Sequence, residues 1–293
     1  MGLLLQLTVN GMVNGAVFAL LACAFGLVYR SLRVFHIAFA GLILVAPYGA
    51  YAASMGLELP IGVAVVLGVL ACALAGLGLE WGMYRPFFVR KASAGTVMVA
   101  SLGAFIVLEN ALALGFGNEI HMFDRVLAAR IALGPVAITS IQALQFGISA
   151  AMLLGLGWAI RSMPTFKAVW AMGDEPELIP VLGLPLMRYR AVVFALSSAL
   201  GGVATCLLAL DLGVDPHMGM SYLLIAAVAV LAGGIDRFWA WMLGGLILSM
   251  LQSLMVWSLS PRWMDLVTFS VLIAMLFFRP QGLFGVRKRL EEE

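Results

Sequence analysis

The chain has 293 residues, 63% of them hydrophobic and only 11% charged, with a formal net charge of +2. Its mean hydropathy is +1.06. A soluble domain carries about 25% charged residues, so there are too few polar groups here to wet a surface, and soluble enzymes, nucleic-acid binders and disordered chains are excluded.

Continuously apolar runs fall at 9–29, 34–55, 60–79, 96–116, 138–160, 189–210, 220–235, 238–257 and 263–278. At roughly 20 apolar residues per bilayer crossing, they predict an all-α, polytopic membrane bundle of about nine transmembrane segments, with a range of about eight to ten. Continuous rather than alternating apolarity argues against a barrel. The run 220–235 is the shortest and also reads as a half-span. No Lys or Arg precedes Arg30, so the opening run lacks the basic region of a cleavable signal and is expected to stay. Basic residues cluster at Arg30/Arg33, Arg85–Lys91, Arg161–Arg190 and Arg287–Arg289, whereas the loops near 56–59 and 211–219 carry Glu58, Asp211 and Asp215 without a cation. Cations favour the cytoplasmic side. This places the N-terminus outside and the C-terminus in the cytoplasm; loop 117–137, mixed in sign, favours neither side. Residues 1–293 read as one membrane domain, with 161–188 a cytoplasmic loop inside it.

Gly11-x-x-x-Gly15, Gly78-x-x-x-Gly82 and Gly245-x-x-x-Ser249 put small residues on one helix face. The expectation is close packing within the subunit, ahead of a dimerisation code. Cys23, Cys72 and Cys206 all lie in apolar runs and read as packing thiols. The sequence contains no G-x-x-x-x-G-K-[ST], H-E-x-x-H, C-x-x-C or G-x-S-x-G. His36, His121 and His217 stand far apart. No catalytic residue, metal site or cofactor is therefore assigned, and ATP hydrolysis is expected elsewhere.

Charges inside apolar segments are costly and are functional candidates by default. Glu109-Asn110 interrupts VMVASLGAFIVLENALALGFG past its middle. It reads equally as a polar group on a path or as an inter-helix hydrogen bond. His36 opens the second segment and is expected at the interface or on the path. Glu80 and Asp265, near segment ends, are expected to be interfacial, and Asn10, Asn14, Gln142, Gln145 and Gln252 to be packing amides.

The longest polar interruption is RSMPTFKAVWAMGDEPELIPVLGLPLMRYR, residues 161–190. Asp174 and Glu175 before Pro176 form a helix-start pattern, which predicts a short helix over 176–182, shortened by Pro180 and stopped at Gly183. This segment reads as a docking surface, or more plainly as a connecting loop.

Here the pattern resembles the permease subunits of branched-chain amino acid ABC importers. The order Thr165…Lys167-Ala168…Ala171…Glu177…Val181-Leu182-Gly183-Leu184 is similar to their coupling loop. Further matches are Asn14–Leu20 with Gly26–Tyr29, Glu80…Tyr84-Arg85-Pro86, Ser101–Gly103 with Glu109-Asn110, Pro216…Gly219, Gly233-Gly234, Gly244–Leu248 and Arg279–Gly285. They cover residues 10 to 285 in order. The resemblance implies an inner-membrane, multi-pass subunit that forms a translocation path. Its implied partners are ABC ATPase subunits, a second permease subunit, a periplasmic or extracellular solute-binding protein, a small-molecule solute and membrane lipid, with no nucleic acid.

Polarity and family position together make His36, Phe39, Gly41, Glu109, Asn110, Pro216, Gly219 and Ile225 the candidates for path lining. The coupling loop carries Thr165, Lys167, Ala168, Ala171, Glu177, Leu182 and Gly183. The chain departs from the family at His36–Gly41, usually Asn-Phe-Ala-His-Gly-Glu, at Glu109 for glutamine and at Ile225 for lysine. Branched-chain or other small amino acids are the implied cargo. Urea, short amides or another small polar solute are the alternative, followed by an ion-coupled carrier or channel acting alone.

Overall fold

The first apolar run becomes one 31-residue helix, α1 (Gly2–Leu32), with 89% of its apolar window buried inside the protein. A helix that is apolar all round is a core helix, and the other elements wrap around this one. The computed structural model describes residues 2–123, 129–133, 136–174, 178–258, 263–279 and 281–285. After α1 come α2 (Phe39–Tyr51) with a π-turn at Ala52–Gly56, α3 (Ile61–Leu79) with a π-turn at Glu80–Tyr84, α4 (Arg85–Val89) and α5 (Ala94–Phe116). A hairpin of β1 (Arg130–Leu133) and β2 (Val136–Thr139) leads into α6 (Ser140–Ser162), then α7 (Pro164–Asp174) and α8 (Leu178–Val181). The chain continues through α9 (Leu186–Leu212), α10 (Met218–Gly233), α11 (Phe238–Ser258) and α12 (Met264–Phe278).

Each predicted apolar run falls on a helix. Among the described residues, seven helical spans are long and apolar enough to cross a membrane, while Met218–Gly233 and Met264–Met275 are shorter apolar helices. The hairpin is the one departure from an all-α reading. Its antiparallel register pairs Arg130 with Thr139 and Leu133 with Val136. Gln6 at the start of α1 pins it, donating from Nε2 to the Ala137 carbonyl at 2.8 Å and accepting from the Ala137 N–H at 2.9 Å. Thr139 then caps α6 in a reciprocal box with Gln142, so this amide serves a helix end rather than the packing expected of it.

Small residues line two of the close seams. A Cβ on Gly245 of α11 would lie 2.5 Å from the Ala19 nitrogen of α1, and Ser249 Oγ donates to the Gly11 carbonyl at 3.0 Å. Two of the three small-residue motifs thus face each other inside the subunit, as expected. The matching seam joins α3 to α2 and α9, where Cys72 Sγ donates to the Leu42 and Ser198 carbonyls at 3.2 and 3.1 Å. Cys23, Cys72 and Cys206 are all free and buried, as packing thiols. The contacts repeat: α1 packs on α10 and α11 as α9 packs on α2 and α3. Ser197, near the middle of α9, donates to the Ala24 carbonyl of α1 at 2.7 Å and joins the two sets.

The third motif is different. No heavy atom lies within 4 Å of a Cβ built on Gly78 or Gly82, so this pair does not pack within the subunit. Gly78 and Gly82 are exposed, and the span that holds them is only 22% buried.

Candidate functional site

The two short helices α2 and α10 each follow a non-helical stretch and begin inside the bundle. Their first turns cross. Gly219 sits so close to the Ala40 carbonyl that no side chain fits between them. One residue on from Ala40, a Cβ on Gly41 would meet the Leu108 Cβ at 2.7 Å, which presses α2 onto α5 beside Glu109. Past the middle of α5, Glu109 therefore stands where three helices meet. Its Oε1 lies 2.7 Å from His217 Nδ1, at the turn into α10, with side-chain exposures of 19% for Glu109 and 62% for His217. The His217 N–H donates to Asp215 Oδ1 at 2.7 Å and holds the turn. His121 secures that turn from the other side through paired backbone bonds with Val214 of 2.9 and 3.0 Å.

The structure brings Gly41, Glu109 and Gly219 together, with Pro216 buried in the adjoining turn. Asn110 is exposed and spends its amide on its own helix, donating to the Ile106 carbonyl at 2.8 Å. His36, Phe39 and Ile225 belong to the packed interior, with exposures of 1%, 0% and 8%. His36 Nδ1 and Tyr84 Oη share a 2.6 Å hydrogen bond, Tyr84 Oη and Ser101 Oγ one of 2.7 Å, and the Ala38 N–H donates to Ser101 at 2.9 Å. His36 thus ties the entry of α2 to the end of α3 and to α5, instead of standing at an interface.

The polar loop forms a second element. The expected helix over 176–182 appears as α8 (Leu178–Val181), while residues 175–177, including Glu177, lie outside the described residues. The larger helix is α7, which begins at Pro164, so the proline-at-first-turn rule applies one segment earlier than expected. Asp174 ends this helix rather than starting the next, because Arg30 NH2 draws it in at 2.7 Å. Arg33 Nε also donates to the Gly173 carbonyl at 3.0 Å, and the Arg30 guanidinium lies over Trp170 at 5.4 Å. Trp170 in turn packs on Trp241 of α11 with ring centroids 5.4 Å apart.

With Ala168, Val169 and Met172 buried against the bundle, Thr165, Lys167 and Ala171 face outward. Gly183, at φ +72°, ends α8 in a conformation that disfavours side chains and leaves Val181 and Leu182 exposed at 79% and 69%. A helical unit clamped on one face presents a mixed polar and apolar surface on the other.

Glu80, at the end of α3, is paired inside the protein. It is 1% exposed and bonds Arg190 at two points, at 2.7 and 3.1 Å. A buried carboxylate must be paired, and Arg190 is the cation that the same end of the bundle offers. Sequence reasoning passed over both Arg190 and His217. The available signal was a charge adjoining an apolar run, at Tyr189-Arg190-Ala191 and Pro216-His217-Met218.

Residues 7–276 match the family model described as the branched-chain amino acid transport system / permease component. The chain belongs to this family. Being a permease, it is a multi-pass membrane protein and a transport subunit rather than an enzyme. It is 27% identical over 295 residues to the high-affinity branched-chain amino acid transport system permease protein BraD of Pseudomonas aeruginosa, covering 96% of this chain and 95% of that one. Against the LivH permease of Escherichia coli K12 it is 28% identical, with the same coverage. The ribose import permease RbsC of Haemophilus influenzae is 25% identical over 70% of this permease and 64% of its own length. Among solved structures, PsaBC from Streptococcus pneumoniae in complex with Fab superposes with a TM-score of 0.51 at 18% identity, covering 97% of this chain and 94% of that one. That likeness concerns the fold.

Proposed function

We propose that this permease is one of two membrane subunits of an ATP-driven importer and that it moves branched-chain or other small amino acids. The observation that carries the reading is the whole-chain family match, 7–276, together with the helical unit α7–α8 clamped to α1 by Arg30. Nine crossings, an outside N-terminus and a cytoplasmic C-terminus agree with the basic residues around α4, α7 and the tail. In this orientation Thr165, Lys167, Ala171, Val181 and Leu182 face the cytoplasm, where an ATPase subunit docks. The second permease subunit covers the exposed face of α3, whose apolar window is only 22% buried. A solute-binding protein delivers cargo from the outer side.

The path runs beside Glu109 and His217. Translocation makes and breaks no covalent bond. It needs contacts weak enough to release the solute and a two-state element to switch access. The Glu109–His217 pair bridges α5 and the first turn of α10 and stays partly exposed, so it offers a carboxylate and an imidazole to a zwitterionic solute while its own bond closes the gap. His36 and Phe39 support this crossing from beneath as packed residues.

The test is a mild-detergent pull-down of the tagged chain, followed by uptake assays with the recovered complex in vesicles. Recovery of an ATPase and a second permease, with ATP-dependent uptake of leucine, isoleucine or valine, is expected. Recovery of this chain alone, still moving solute without ATP, overturns the importer assignment. ATP-dependent uptake of another solute class corrects the cargo only.

A further inference from the structure

At the end of the bundle where α1 stops and α9 starts lies a half-open cavity of about 650 Å³. Its walls are apolar: Phe87 and Val89 of α4, Val97 of α5, and Leu186 and Met187 of α9. Its charged lining is entirely basic: Arg33, Lys91 and Arg190, with no carboxylate among the described lining residues. Glu80 already neutralises Arg190, whose guanidinium lies over the Phe88 ring at 4.4 Å. Arg33 and Lys91, both exposed, therefore set the character of the mouth.

The backbone supplies an independent observation. Among the described residues, only three besides glycine adopt a positive φ: Arg33 at 52°, Lys91 at 50° and Glu58 at 52°. Arg33 and Lys91 take this conformation because they end α1 and α4, the Arg33 N–H donating to the Tyr29 carbonyl at 3.0 Å and the Ala92 N–H to the Phe87 carbonyl at 3.0 Å, so two helix ends deliver their cations to one place. Two of the three are basic, come from different loops and line the same cavity. Arg33 is further held by one edge, through its Nε bond to the Gly173 carbonyl at 3.0 Å. Around the mouth, Arg85 and Arg90 add exposed positive charge, and Trp81, Phe88 and Val89 are exposed at 58%, 39% and 63%. A basic rim, an apolar interior and an adjoining apolar, tryptophan-bearing flank match a ligand with an anionic head and an acyl body.

We infer that this cavity holds a phospholipid with an anionic head group. The phosphate sits between Arg33 and Lys91, and the acyl chains pass along α4 onto the flank at Trp81 and Val89. Pro180 of α8 also lines the cavity, so the bound lipid links the end of α1, the α4 turn and the docking element. Neither the transported solute nor the membrane orientation enters the assignment.

The test uses the intact complex in mixed micelles with equal phosphatidylglycerol and phosphatidylcholine, with retained lipid counted by native mass spectrometry. Wild type is expected to retain phosphatidylglycerol several-fold over phosphatidylcholine. R33Q/K91Q should lose that preference, while R33K/K91R, and R161Q at an exposed arginine elsewhere, keep it. Equal retention by wild type and R33Q/K91Q overturns the site. Displacement of the phosphatidylglycerol by inorganic phosphate alone overturns the lipid assignment in favour of a simple anion pocket. A measurement without variants guards against misfolding: a photoreactive phosphatidylglycerol should label wild-type peptides within 81–97. Labelling spread evenly over all lipid-facing helices sinks the proposal.

Discussion

Glu80 and Arg190, 110 positions apart in the chain, meet as a two-point ion pair, with Arg190 Nε donating to Oε1 at 2.7 Å and its NH2 to Oε2 at 3.1 Å. Their side chains are 1% and 4% exposed. The pair fastens the end of α3 to the first turn of α9, beside the cavity rimmed by Arg33 and Lys91. Removing one member strands a buried charge, which costs about 3–5 kcal/mol, whereas replacing both with apolar residues of similar volume is often neutral. Thermal unfolding of the purified permease should therefore rank E80A and R190A well below wild type, with E80L/R190M close to it. A double variant as unstable as either single one contradicts this account.

The Glu109–His217 bond crosses from α5 to α10 in a partly exposed position. E109Q and H217A should each lower uptake while membrane abundance holds. A partly exposed pair of this kind couples by roughly 0.2–1 kcal/mol, so the double variant should lose less than the sum. Uptake and abundance both unchanged in the two single variants would remove the pair from the path.

Glycine substitutions should separate the two kinds of small-residue motif. A Cβ on Gly245 lies 2.5 Å from a backbone nitrogen, whereas none of the atoms around Gly78 comes within 4 Å. Overpacking a tight seam costs about 1–3 kcal/mol, so G245A should unfold at a lower temperature. G78L should leave the melting of the isolated permease unchanged yet reduce recovery of a second permease subunit. If G78L keeps full recovery, the open side of α3 is not the partner's seat.

Val181 ends α8 and Leu182 follows it in the turn, both exposed. L182D should abolish co-purification of an ATPase and leave abundance and melting near wild type. Loss of abundance with the same substitution would point to a structural role for α8.

The thiols give an inexpensive check on the core. Cys23 and Cys72 are 0% exposed and Cys206 is 1% exposed. Maleimide should label none of them in native membranes and all of them after denaturation. Fast labelling of Cys206 in the native state contradicts the packing of α9.

Much of this was legible in the sequence because the bilayer demands long, continuous apolar runs, and such runs leave little ambiguity about helices. Gly11, Gly15 and Gly245 showed their purpose through spacing alone. Spacing did not show which neighbour a motif meets, so Gly78 looked like Gly11 although one faces outward and the other inward. Glu80 and Arg190 were visible singly. Their pairing depends on the tertiary fold, as does the partnership of Glu109 with His217. The loop after Ser162 was recognised as an element, but its main helix was misplaced, because the attraction of Asp174 to Arg30 links positions 144 apart. Near-contiguous patterns cannot report such a bond.

The seam between α1 and α11 leaves no slack. With Gly245 against the Ala19 backbone and Ser249 bonded to Gly11, neither helix can slip along the other by a single residue without steric collision. The two behave as one welded strut that also carries Trp241, against which Trp170 of α7 is stacked. A push on α7 thus displaces a double-width beam rather than bending one helix. The compliance needed to open a passage then falls to the thinly packed helices, α5 first among them. Stiffness placed in one pair of helices decides which other helices yield.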